Sequence, residues 1–229
     1  MTALVALDVD GTLLDTAPSF DRVVRELSGA THDEMKRFRA TGGFNDDWQL
    51  TRALCAWIGA GRPDVVERCE NVDDVVLWCA HDPGDLAERC MALYRGGYWR
   101  DERVLVPGAH LSALAARVDV AACTGRDAWE LARAQELLGF TFLKATTMEH
   151  ARKPDPLALL RLVEAGVGHV VLLGDTHADR RTVQAAKKAR PDVRFDFVFV
   201  TPEQPAARFV DAVVAGEDID VVARRFGEP

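Results

Sequence analysis

The chain begins with a nearly unbroken apolar run, ALVALDVDG from Ala3 to Gly11, in which carboxylates appear only toward its end. A run without alternation suits a central strand covered on both faces, so an interior strand with an acidic C-terminal end is predicted. Short apolar runs recur at Val118 to Cys123, Phe140 to Ala145, His169 to Leu173 and Phe195 to Val200, each closing on polar or glycine residues. Between them the spacing turns helical. Leu111, Leu114, Ala115 and Val118 form one stripe, Leu131, Gln135 and Leu138 a less regular one, and Pro156 to Glu164 opens with a proline that suits a first turn. Strand and helix thus alternate after residue 103. That alternation calls for right-handed crossovers and predicts an α/β fold, a doubly wound parallel sheet whose ligands bind beyond the carboxyl ends of its strands.

Residues 16–100 follow a different pattern. No second strand follows the first, and a run of helical stripes takes its place: Leu50, Leu54, Trp57 and Ile58 form one, and Val72, Val75, Val76 and Cys79 another. Thr31 to Glu34 matches a capping box, and the pairs Gly42-Gly43 and Gly96-Gly97, with Pro63 and Pro83, supply the breaks. An α-helical insert of four or five helices is expected, so the domains are predicted as 1–15 with 101–229, and 16–100. Within the insert, TGGFNDDWQLT from Thr41 to Thr51 combines glycines with polar and aromatic groups, as a loop reaching an active site would. Its alternative is helix capping by Asn45 with Trp48 in the core. Trp57, Trp78, Trp99 and Trp129 are expected to pack in cores or between domains, Trp99 being the best candidate for an exception. Asp15 and Thr16 are expected to cap the first helix of the insert.

Composition narrows the partners. The net charge of -8 is spread over a chain in which Lys and Arg are interspersed, leaving no basic stripe for nucleic acid. No apolar run approaches the roughly 18 to 20 residues that span a bilayer, and the N-terminus has neither the basic region nor the cleavage site of a signal peptide. A cytoplasmic protein without membrane or nucleic-acid partners is therefore expected, as a monomer or homodimer. The five cysteines are an odd number scattered among apolar residues, which suits reduced core thiols, and Cys79, His81 and Cys90 lack the CxxC pair of a zinc site.

The candidate chemistry sits at the strand ends. Asp8 and Asp10 close the first strand and are followed by Gly11 and Thr12; Asp175 and Asp179 follow the apolar run VVLLG. Two like charges at about 4 Å repel by roughly 4 kcal/mol at an effective dielectric near 20, so four carboxylates at one edge need a cation. An all-oxygen donor set that also handles phosphate favours Mg²⁺. Thr124 with Gly125, and Lys153 in ARKPDP, supply a hydroxyl, backbone N–H groups and an ammonium suited to phosphate. Arg126 either reaches substrate or pairs with a neighbouring acid. His177 is expected to be a solvated loop residue.

Taken in order, DVDGTLLDT, TGR, KPDP and GDTHAD resemble the four motifs of the haloacid dehalogenase (HAD) superfamily, and they span nearly the whole chain. The insert between the first two resembles the helical cap of the phosphoglycolate-phosphatase-like branch, subfamily IA. The resemblance implies a HAD-like Rossmannoid core and a Mg²⁺-dependent phosphoric monoester hydrolase acting on a small phosphorylated metabolite. By that resemblance Asp8 is the nucleophile that forms an aspartyl-phosphate, and Asp10 is general acid and then base, its backbone carbonyl ligating the metal. Thr124 and Gly125 would hold the phosphoryl group, Lys153 would bridge nucleophile and phosphate, and Asp175 would ligate the metal. Asp179 would hold metal-bound water or Lys153. Asp10 argues against attack on carbon and against phosphonate cleavage, since those branches do without a carboxylate there. The alternatives are a sugar-phosphate mutase of the same superfamily and a regulatory protein that binds phosphate without turnover.

Overall fold

The computed structural model describes residues 2–41, 44 and 47–227. It divides into two compact units, residues 1–15 with 103–229, and residues 16–102. In chain order the first unit begins with β1 (Thr2–Leu7) and β2 (Leu14–Asp15). The second contains α1 (Ala17–Ser28), α2 (His32–Ala40), α3 (Asp47–Gly59), α4 (Val72–Cys79) and α5 (Ala87–Gly96). The first unit then resumes with β3 (Arg103–Val104), α6 (Gly108–Ala115), β4 (Asp119–Cys123), α7 (Ala128–Leu138), β5 (Lys144–Thr146) and α8 (Leu157–Leu160). It closes with β6 (Val167–Gly174), α9 (His177–Ala189), β7 (Arg194–Phe199), α10 (Ala206–Val214) and α11 (Ile219–Phe226).

The main sheet has five strands in the order β5-β4-β1-β6-β7, all parallel, which is the predicted α/β class. Its register follows from double-sided burial. Val5 and Leu7 of β1 join one core with Leu111, Leu131 and Phe209 of the helices on that side. Leu4 and Ala6 join the other with Leu159, Val183 and Ala186. A one-residue slip would exchange these sets and gain nothing, but it would also move the acids that follow, so the register fixes where Asp8 points. β2 and β3 form a two-residue antiparallel pair that the hydropathy pattern does not show. The strand predicted from Phe140 starts only at Lys144, because Phe142 joins the core while its N–H bonds to Gln135 Oε1 at 2.8 Å. The helix predicted over Pro156 to Glu164 is limited to α8.

In the helical unit, Phe38, Phe44, Leu50, Leu54, Trp57 and Val75 form the core, and the capping box at Thr31 and Glu34 is complete. Trp99 is buried, whereas Trp78 is 56% exposed and so departs from the packing role expected of it. Thr16 stands at the N-cap of α1 without a side-chain capping bond. Phe44 is buried, Trp48 rests edge-on against Phe20 at 5.6 Å, and Gly42, Gly43, Asn45 and Asp46 lie outside the described residues. All five cysteines are free, and Cys69, Cys79, Cys90 and Cys123 are buried.

Candidate active site

The carboxyl ends of β1, β4 and β6 bring together residues far apart in sequence. Asp8 N–H extends the ladder to Leu173 O at 2.9 Å, holding the residue in line with β1. Its side chain keeps the parity of Leu4 and Ala6, so it points toward the face carrying α8 and α9. There the Lys153 ammonium, in the turn before α8, lies 2.9 Å from Asp8 Oδ2 and 2.5 Å from Asp179 Oδ1. These side chains are 5% (Asp8), 9% (Lys153) and 0% (Asp179) exposed, so little water screens the contacts. Asp8 Oδ1 accepts from the Val9 N–H at 2.8 Å.

Asp179 is fixed by its helix. Thr176 is the N-cap of α9 and Asp179 its third residue, and each side chain accepts from the other's backbone N–H at 3.2 Å. The Thr176 hydroxyl also donates to Asp179 Oδ2. T-x-x-D is legible as a capping box in the sequence, but the reading of Asp179 as a metal-site carboxylate holding water or Lys153 passes over Thr176. Ligand oxygens of Asp8, Asp175 and Asp179 lie within 4.8 Å of one another. Two glycines permit this closeness. A Cβ on Gly11, whose φ is +66°, would fall 1.9 Å from Asp175 Oδ2, and one on Gly174 would fall 2.6 Å from Asp179 Cγ.

The charges do not balance within this group: three carboxylates and one ammonium leave two negative charges. Burial pushes the Asp8 carboxyl up to about 8, opposed by Lys153 and reinforced by Asp179. Burial, then Asp179, pushes Asp175 up to about 6. Burial by itself would lower the Lys153 ammonium, but Asp8 and Asp179 override it and hold it above its usual range. Asp175 Oδ1 is buried with no hydrogen-bond partner among the described residues. An orphaned buried oxygen beside two excess negative charges in an all-oxygen set fits a hard divalent cation. Cys123 is pushed up to about 12 by burial, so it offers no thiolate nucleophile.

The other residues expected in the site occupy its second wall. Asp10 is not in the carboxylate cluster. Its Oδ1 receives Arg126 Nε at 2.7 Å and Nη2 at 2.6 Å, so of the two readings of Arg126 the geometry shows pairing with an acid, from a greater sequence distance than anticipated. Thr124 is buried at the end of β4; its N–H bonds to Thr146 O at 3.0 Å, and its hydroxyl oxygen accepts from Arg126 N–H at 3.1 Å. Gly125 is exposed between them. His177 is exposed on the first turn of α9, with its ring 5.8 Å from that of Phe199.

The motif order and this geometry define one class, and the chain matches the haloacid dehalogenase-like hydrolase family over residues 2–189. The protein belongs to that family and is a HAD-type hydrolase. Among solved structures it is similar to phosphatase Tt82 from Thermococcus thioreducens, at 24% identity and TM-score 0.77, covering 93% of this chain and 100% of that one. A HAD-superfamily hydrolase of subfamily IA from Geobacter sulfurreducens shares 19% identity at TM-score 0.52, over 90% of both chains. YfnB from Bacillus subtilis, in a form bound to magnesium, shares 14% identity at TM-score 0.56, over 90% of this chain and 91% of that one. No curated protein matches. Among the described residues, no helix is long and apolar enough to cross a membrane.

Proposed function

We propose that the protein is a magnesium-dependent phosphatase for a small phosphate monoester, working through an aspartyl-phosphate on Asp8. The observation that carries this reading is the buried Asp8–Lys153–Asp179 chain with Asp175 beside it. A carboxylate buried against an ammonium is ready to attack an anion whose charge the ammonium also offsets.

Asp8 attacks phosphorus in line with the departing oxygen, and the Asp8 O–P bond forms as the ester P–O bond breaks. Asp10 gives a proton to the leaving oxygen. In the second step it takes a proton from the water that attacks the phosphoenzyme, releasing inorganic phosphate and restoring Asp8. Lys153 holds nucleophile and phosphoryl oxygens together, and Thr124 with the Gly125 N–H binds the remaining oxygens. Mg²⁺ held by Asp8 and Asp175, with the Asp10 carbonyl and Asp179 supporting, would supply positive charge to the transferring group. Asp179 acts on this site through Lys153. In this reading the helical unit, residues 16–102, is the cap that selects the leaving group.

The test is phosphate release from a panel of sugar, glycolate, nucleotide and amino-alcohol phosphates, with Mg²⁺ and with chelator. Metal-dependent release that disappears in Asp8→Asn supports the proposal. Transfer of phosphate between positions of a sugar phosphate without net release would make the protein a mutase, and tight binding without either reaction would make it a regulator.

A further inference from the structure

We infer that Arg126 is a positioning residue for Asp10, orienting its carboxylate for proton transfer, rather than a ligand of the substrate phosphate. This inference rests on the phosphatase reading above.

The guanidinium is 3% exposed. Both of its contacts to Asp10, from Nε and Nη2, fall on Oδ1 at 2.7 and 2.6 Å, while Nη1 donates to Glu130 O at 3.3 Å in α7. Its backbone N–H is tied to the Thr124 hydroxyl at 3.1 Å. The guanidinium is therefore held at both ends of its fork, and reaching a phosphoryl group would break contacts that are already made and buried. Asp10, by contrast, is 39% exposed. No hydrogen bond to Asp10 Oδ2 occurs among the described residues. With Oδ1 occupied by two N–H groups, Oδ2 is the oxygen left to carry the proton. The ion pair fixes which carboxylate atom faces the reaction and removes the rotation that would exchange the two.

A positioning role makes a prediction that phosphate binding does not. When the ester P–O bond breaks, its electron pair stays on the leaving oxygen. An alkoxide needs the Asp10 proton at that moment, whereas 4-nitrophenolate leaves as a stable anion without it. The ratio kcat/KM reports only steps up to the first irreversible one, here formation of the phosphoenzyme, so it isolates this event.

The experiment compares Arg126→Met, Arg126→Lys and Asp10→Asn on 4-nitrophenyl phosphate and on whichever alkyl phosphate the wild-type protein hydrolyses fastest. Thermal melting and inhibition by inorganic phosphate are measured beside them. The expected result follows the range for general acid–base catalysis: kcat/KM for the alkyl ester falls about 100-fold in Arg126→Met and Asp10→Asn, and for 4-nitrophenyl phosphate less than about threefold. Arg126→Lys, which keeps the positive charge and one donor nitrogen but loses the fork, should recover part of the loss. Phosphate inhibition should stay unchanged, and Arg126→Met added to Asp10→Asn should cost little more. An equal fall for both esters with weakened phosphate inhibition would make Arg126 a phosphate ligand and overturn the inference. So would an equal fall that merely follows a lowered melting temperature. In both cases wild-type phosphate release, and with it the phosphatase reading, would stand; absence of release from the wild type would remove both.

Discussion

The two units differ in where they place their paired charges. In the helical unit, residues 16–102, Arg37 meets Glu67 and Asp64 across exposed side chains, Arg39 meets Asp21 and Asp47 across half-buried ones, and the buried carboxylate Glu102 accepts from the neutral Tyr94 hydroxyl at 2.7 Å. In the α/β unit, Asp8, Lys153 and Asp179 are sequestered at the sheet edge, and burial drives Asp8 and Asp175 toward the neutral form. Surface pairs contribute little because water screens them and ordering long side chains is costly. Buried pairs cost desolvation and are retained where chemistry needs a charge out of water. The buried Asp8–Lys153–Asp179 cluster, more than the amount of charge, separates the unit that would do the chemistry from the one that would frame it.

The sharpest break of this contrast is Asp8→Asn, which should cut turnover by about 1,000-fold or more, as expected for loss of a nucleophile, while leaving the protein folded. Phosphate-release kinetics beside a melting curve check it, and residual turnover within tenfold of wild type would mean that another group attacks. Next is Lys153→Met. It leaves Asp8 and Asp179 facing each other without their shared cation, so turnover should fall about 100-fold or more and stability by about 3–5 kcal/mol. Chemical denaturation reads the second effect, and an unchanged midpoint would show that the pair is not sequestered in solution.

Proton linkage gives the third. The ordinary carboxyl value is 3.8, and in the folded protein Asp175 and Asp8 are raised to about 6 and about 8. The folded state therefore holds protons that the unfolded state has lost, and its stability falls with rising pH. In chelator this contribution is complete below the unfolded value and is lost as pH rises through the two folded values. A divalent cation needs the ionised carboxylates, so stabilisation by Mg²⁺ should grow across the same interval. At about 100 times the dissociation constant it should reach roughly 5–10 °C. Melting curves at pH 5 and 8.5, with and without Mg²⁺, test this; a shift independent of pH would break the link between the raised carboxyls and the metal. Smallest of all should be Arg37→Ala in the helical unit, which should move Tm by less than about 2–4 °C and leave kcat unchanged. A larger fall would mean that this exposed pair does more than its solvent contact allows.

Much of the site was legible because each of its strands ends in a short polar signature. Asp8, Thr124 and Asp175 were readable from the apolar runs before them, and the parallel sheet from the alternation that separates those runs. Phe140 to Ala145 misled because an apolar run can serve a core from a loop as well as from a strand: Phe142 is buried, yet Leu143 beside it is 96% exposed. Trp78 misled for a related reason, since helical spacing marks a face without saying whether anything covers it.

The chain alone determined the order of strands and helices, the helical insert and the residue types gathered at the strand ends, because these depend on local periodicity and burial. Which acid meets which base was decided only in three dimensions. Lys153 lies 145 positions from Asp8, and Arg126 is 116 from Asp10. Such partners are chosen by sheet order, register and the space that Gly11 and Gly174 leave open, which no local pattern encodes.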